Sequence, residues 1–178
     1  MADLPIVGAG RPGARELAGL HAAILHHRPG DADAAAALAE CGLPALPAPL
    51  GSAGEAPLLA WRSPQEALLV SERREPVDAL TRVLAPGRRP GAVAIDLSEA
   101  LVAYELQGPE LDEWLAHLVD AASIPRRPGG ATRARMADVA VVLLRRAPDR
   151  LWLLGDRTIA AYLRSWLAFA HAGAFSNP

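Results

Sequence analysis

Apolar positions change their period along this chain, and the changes mark out elements. Residues 58–61 (Leu-Leu-Ala-Trp) and 66–70 (Glu-Ala-Leu-Leu-Val) are short apolar runs separated by Arg62-Ser63-Pro64-Gln65. They predict two strands, with Pro64 suited to the turn between them. Val77, Leu80 and Leu84 then recur at helical spacing, with Pro76 in the first turn and Pro86-Gly87 as the stop. Residues 92–97 alternate, with Val93, Ile95 and Leu97 on one face, and after Ser98-Glu99 the alternation resumes at Val102, Tyr104 and Leu106. Two strands joined so tightly should be antiparallel. Gly108-Pro109-Glu110 predicts a helix start, glycine as N-cap and proline in the first position. The acidic first turn of Glu110, Asp112 and Glu113 complements the helix dipole, and Leu111, Trp114, Leu115 and Leu118 form the buried stripe. A loop at 124–130 leads to strands near 132–136, 139–144 and 151–154, the last two turned by Ala147-Pro148-Asp149. Asp156 is suited to cap a final helix whose stripe is Ile159, Tyr162, Leu163, Trp166, Leu167 and Ala170.

The order strand-strand-helix, strand-strand-helix, strand-strand-strand-helix predicts an α+β fold, a largely antiparallel sheet with interspersed helices. Before residue 57 the pattern is poorer. Leu17, Leu20, Ile24 and Leu25 share a helical face, residues 26–31 read as a turn, and 33–38 read as more helix. Residues 42–51 are Pro-rich and extended, giving way to Ser52-Ala53-Gly54-Glu55. This divides the chain into an N-terminal helical arm and linker at 1–56, an α+β domain at 57–172 and a tail at 173–178. The arm is apolar enough to lie along a partner.

Composition narrows the function classes. The chain has 178 residues, 51 % of them hydrophobic, enough to build a core without staples. A formal net charge of −2 gives no reason to expect nucleic acid. All 18 basic residues are Arg, so Schiff-base and P-loop lysines are excluded. Cys41 is the single cysteine, which rules out an internal disulfide and a cysteine metal cage, and it reads as a small buried hydrophobe. No apolar run approaches a membrane span, and Asp3 with no basic stretch reads as no signal peptide, so a cytoplasmic protein is expected.

Several stretches are candidates for chemistry. Gly8-x-Gly10-x-x-Gly13 matches the dinucleotide fingerprint. That fingerprint needs a helix after it and a second parallel strand ending in an acid. Asp31 and Asp33 stand at a suitable distance, yet no β-branched run precedes them. His21, His26, His27, His117 and His171 show no metal-ligand spacing and read as solvated. Gly129-Gly130 after Arg126-Arg127 has the makings of an anion cradle, although a solvated loop is the plainer reading. Arginine pairs at 73–74, 88–89, 126–127 and 145–146 adjoin turns or strand ends and read as solvated edges. Trp114 and Trp166 read as core, while Trp61 and Trp152 sit on alternating strands that could turn them outward.

Four segments carry a family resemblance: "LLAWRSPQEALLV" (58–70), "AIDLSEALVAYELQGPELDEWL" (94–115), "LWLLGDRTIAAYLRSWL" (151–167) and the approach "GLPALPAP" (42–49). In order and spacing they resemble the gamma subunit of heterotetrameric sarcosine oxidase and of related complexes oxidising other N-methyl or secondary amino acids. The resemblance covers about residues 42–170. It implies a fold similar to the folate-binding domain of glycine-cleavage aminomethyltransferases. It also implies partners, namely large alpha, beta and small delta subunits. FAD, FMN, NAD, zinc and tetrahydrofolate are then expected on those chains, and no catalytic, cofactor-binding or metal-binding residue on this one. The transfer-RNA-modifying branch of the fold carries K-G-C-Y-x-G-Q-E, and nothing comparable surrounds Cys41. A single-domain tetrahydrofolate-binding one-carbon transferase is the alternative that the fold resemblance leaves open.

Overall fold

The computed structural model describes residues 12–30 and 32–172. The chain divides into two compact units, Met1–Ala18 with Val102–Pro178, and Gly19–Leu101. Gly8, Gly10, Asp31 and the tail at 173–178 lie outside the described residues.

The continuous unit is built on a five-stranded sheet. Its strands are β2 (His21–His27), β3 (Ser52–Ala53), β4 (Leu58–Ser63), β5 (Glu66–Ser71) and β6 (Ala92–Asp96), in the order β3-β4-β5-β2-β6. Each of these pairings is antiparallel. Helices α1 (Ala32–Glu40) and α2 (Glu75–Val83) cover one face. Leu38 of α1 with Val77 and Leu80 of α2 pack there on Leu25, Leu59 and Leu69. The expected helix through Ile24 and Leu25 is absent, because those residues lie in β2, the strand between β5 and β6. A strand flanked on both sides buries Ala22, Ala23, Ile24 and Leu25 alike, so alternation vanishes and helical spacing arises by coincidence. The expected boundary near residue 56 also fails as a division between arm and domain. β3 pairs across it with β4, and β2 and α1 belong to the same core as β4 and β5.

β6 is an edge strand, and it is turned opposite to a simple hydrophobic alternation. Ala92 and Ala94 are buried toward the helices, whereas Ile95 is 49 % exposed. Small side chains are what the close-lying α2 admits. The loop between α2 and β6 also closes the edge: the amides of Ala92 and Ala94 donate to the carbonyls of Arg89 and Leu84. Beyond β6, Ser98 Oγ accepts from the Ala22 amide at 3.2 Å, extending the attachment to β2.

The discontinuous unit carries the second sheet: β1 (Gly13–Glu16), β7 (Leu101–Gln107), β8 (Ala131–Met136), β9 (Val139–Ala147) and β10 (Arg150–Asp156), in the order β1-β7-β10-β9-β8. The pairs β1–β7, β9–β10 and β8–β9 are antiparallel. β6 and β7 therefore lie in different sheets and form no hairpin, despite their short connection. Helices α3 (Leu111–Ala116) and α4 (Ala160–His171) pack on this sheet through Leu111, Leu115, Leu163 and Leu167 against Tyr104, Leu106, Leu143 and Leu153. α3 starts later than Gly108-Pro109 suggests, after a left-handed Glu110 with φ 54°. Gly155 lets α4 approach β10: a Cβ there would lie 2.8 Å from Leu163 Cδ1.

Asp156 caps the 3-10 turn that leads into α4. Its carboxylate accepts from the Thr158 amide at 2.8 Å and the Thr158 hydroxyl at 2.7 Å. These two bonds hold its pKa below the usual aspartate range. Asp156→Ala is expected to cost about 1 kcal/mol at neutral pH, measured by urea unfolding. Because the folded pKa is depressed, this contribution is complete above the unfolded value and is lost as pH falls through the folded one. Wild type and variant should therefore converge in strongly acidic buffer.

Candidate functional site

The structure assigns most of the candidate groups to internal ties. Gly13, third glycine of the fingerprint, opens β1 and pairs with Gln107. Where a dinucleotide site needs a helix N-terminus, this chain has strand β1 and then strand β2. Asp33, a candidate ribose ligand, lies in α1, and its carboxylate accepts from the Gly91 amide at 2.9 Å. The anion cradle at 126–130 is closed as well. The Gly129 amide donates to the Arg145 carbonyl and the Gly130 amide to the Arg127 carbonyl, while Arg126 is held by Asp112 at 2.8 Å and the Ala121 carbonyl at 3.1 Å.

Arg145 overturns the solvated-edge reading of the arginine pairs. It is 1 % exposed. Its Nε donates to the Pro125 carbonyl at 2.8 Å, one terminal nitrogen to the Pro148 carbonyl at 2.9 Å and the other to Asp112. One guanidinium thus ties α3, the 124–130 loop and the β9–β10 turn together, using a planar fork that an ammonium lacks. A strand-end Arg-Arg pair gives no sign of which member is buried. Only the strand's alternation carries the signal: Leu143 and Arg145 share the face toward α3.

Trp152 is half-buried in a polar row across the same sheet. Its Nε1 donates to Glu105 at 3.3 Å, Arg15 donates to Glu105 at 2.7 Å, and the Arg146 guanidinium stacks 4.7 Å above the indole centre. Burial pushes the Glu105 carboxyl up, but the bonds from Arg15 and Trp152 outweigh it and hold the pKa below its ordinary value. Trp114 is core, as its helical spacing predicts; Trp166 is only partly buried, and Tyr162, expected in the inner stripe of α4, is 42 % exposed.

In the other unit, an open cleft of about 650 Å³ is lined by residues that include His26, His27, Arg28, Gln65 and Arg89. Its charges are largely matched: His26 lies 3.5 Å from Glu66, and Arg89 pairs with Glu40. Cys41 is half-buried, and burial followed by the neighbouring Glu40 charge raises its thiol pKa, which disfavours the thiolate. Among the described residues, no group of three or more His, Cys, Asp or Glu side chains is placed to hold a metal ion. No described helix is long and apolar enough to cross a membrane.

Two five-stranded, largely antiparallel sheets, each with its own pair of helices, define the fold class: it is that of glycine cleavage system aminomethyltransferase T. The Bartonella henselae protein matches 88 % of this chain with a TM-score of 0.58 at 15 % identity, and this chain spans 45 % of its length. A more specific likeness follows. A chain of the heterotetrameric sarcosine oxidase from Corynebacterium sp. U-96, in complex with pyrrole 2-carboxylate, matches 97 % of this chain with a TM-score of 0.82 at 25 % identity. The match covers 89 % of that chain, so the two are of comparable length. The resemblance carried by the four sequence segments thus recurs in three dimensions along nearly the whole polypeptide. No protein-family model and no curated protein matches the sequence.

Proposed function

We propose that this chain is a non-catalytic assembly subunit of a cytoplasmic, heterotetrameric, sarcosine oxidase-like complex that oxidatively demethylates an N-methyl amino acid. The observation that carries the reading is the TM-score of 0.82 to a chain of such an oxidase, over nearly the full length of both. The polar groups support it. Arg145, Asp112, Glu105, Asp33 and the 129–130 amides are engaged with one another or with backbone, as framework groups are. In this reading the task of the chain is to bury surface on larger partners, corresponding to alpha, beta and delta subunits. Those partners carry FAD, FMN, NAD, zinc and the folate site.

The test is co-expression with candidate alpha, beta and delta chains from the same genome. Co-elution in one complex that oxidises sarcosine or a related amine is expected, with no turnover by the isolated chain. Elution as a stable monomer in the presence of those chains, or turnover by the chain alone, would overturn the proposal. Titration of the isolated chain with tetrahydrofolate separates this reading from a one-carbon transferase, which alone predicts saturable binding.

A further inference from the structure

The cleft of the continuous unit is shaped by backbone that is already tied together. One wall is the end of β2, His26 and His27, with Arg28 after it; Gln65 of the β4–β5 turn and the segment joining α2 to β6 supply the rest. The His27 amide donates to the Gln65 carbonyl at 2.9 Å, and the Arg28 amide donates to the Gly91 carbonyl at 3.1 Å. The Gly91 amide is held in turn by the Asp33 carboxylate at 2.9 Å. A cleft ordered before binding costs its ligand little. Its volume of about 650 Å³ falls within the roughly 300–1,000 Å³ of small-molecule sites.

The lining is cationic. His26, His27, Arg28 and Arg89 all contribute to it, and among the described residues that line the cleft none is acidic. Two of the four are matched by carboxylates that are not part of the lining, His26 by Glu66 at 3.5 Å and Arg89 by Glu40 at 2.5 Å. The Glu40 side chain is 55 % exposed, so an anion in the cleft competes for Arg89 with a solvent-screened carboxylate and not with a buried one. Arg28 is exposed, and its guanidinium has no partner among the described residues.

We propose that this cleft binds a small organic phosphate, a phosphate monoester whose phosphoryl group meets Arg28, Arg89 and His27. The donors select the head group. A phosphate monoester carries close to two negative charges near neutral pH and three acceptor oxygens. Arg28 and Arg89 each present a planar fork suited to such oxygens, and the His27 ring donates from both nitrogens when protonated. A carboxylate, with one charge and two oxygens, leaves part of that set unused. The volume selects an organic ligand over inorganic phosphate. The head group fills only part of the cleft, and Pro86, Pro90 and Val93 offer apolar surface to the remainder. The site lies wholly within the 19–101 unit, so it needs no partner chain and stands apart from the assembly role.

The test is a calorimetric titration of the full-length chain with phenyl phosphate at constant ionic strength, with benzoate and phenol as the carboxylate and neutral comparators. Saturable binding of phenyl phosphate is expected, with a dissociation constant below about 5 mM, tighter than that of benzoate and absent for phenol. Arg28→Ala should weaken it about fivefold and Arg28→Glu should abolish it. Neither should move the melting temperature, since Arg28 is exposed. Arg73→Ala, which removes an arginine 77 % exposed elsewhere in the same unit, should leave binding unchanged. A dissociation constant above about 5 mM for phenyl phosphate, or phenol or benzoate bound as tightly, would overturn the proposal. So would both Arg28 variants binding as wild type does, or an equal loss in Arg73→Ala, which would reduce the effect to net charge.

Discussion

Arg145→Met should destabilise the chain by about 3 kcal/mol, read as a shift in the urea midpoint at constant slope. Removing one member of a buried ion pair usually costs about 3–5 kcal/mol, because the abandoned charge is left without compensation. Here the lower end applies, since Asp112 is about one-third exposed and keeps Arg126 at 2.8 Å. The loss also includes two carbonyls, Pro125 and Pro148, each deprived of its guanidinium donor at about 1 kcal/mol apiece. Arg145→Lys should recover only part of the deficit, because three divergent acceptors need a fork rather than a point charge. A domain of this size has roughly 5–15 kcal/mol in hand, so the Met variant remains folded at 25 °C and its deficit is measurable. A loss below about 0.5 kcal/mol, typical of surface substitutions, would return Arg145 to the solvated strand edge its sequence context suggests.

Leu25→Ala is expected to cost about 4 kcal/mol, in the upper part of the range for buried leucines. Leu25 is 0 % exposed, and its cross-strand neighbours are Ala67 on β5 and Ala94 on β6. Neither alanine has side-chain atoms that can swing into the vacated space, so most of the cavity persists. Ile95→Ala, on β6 but 49 % exposed, should cost less than about 1 kcal/mol. The two variants compared by thermal melting test both the placement of β2 inside the sheet and the inverted facing of β6. Equal losses would contradict that placement.

How legible this fold is depends on where each strand sits. From residue 58 to 171 the order of elements follows from pattern alone, because most of these strands and helices bury one face and Pro64, Pro76 and Asp156 punctuate them. β2 was hidden because a strand with neighbours on both sides buries consecutive residues and imitates a helix face. β3 is two residues long, below any periodic signal. Ala92 and Ala94 were hidden because small inward residues are outweighed, on any hydropathy scale, by the outward Val93, Ile95 and Leu97. That the chain forms two sheets was invisible locally, since the partners of β1 and β2 lie some 90 and 45 residues away. The cleft is less legible than the fold, because Arg89 stands some 60 residues along the chain from His27 and Arg28. The aromatic residues of α4 are plain in the sequence, but helical spacing placed Tyr162 inside, and only the packing turns it outward.

The polypeptide begins in one unit, leaves it at Ala18 and re-enters at Val102. β1 must therefore wait for β7, its one sheet neighbour among the described residues, until some 90 further residues have been synthesised. On the ribosome the 19–101 segment can condense while β1 is still without its complement, and the second sheet closes last. Long-range closure of this kind is slow. α4 follows the last strand of that sheet, so it too can pack only as the sheet closes.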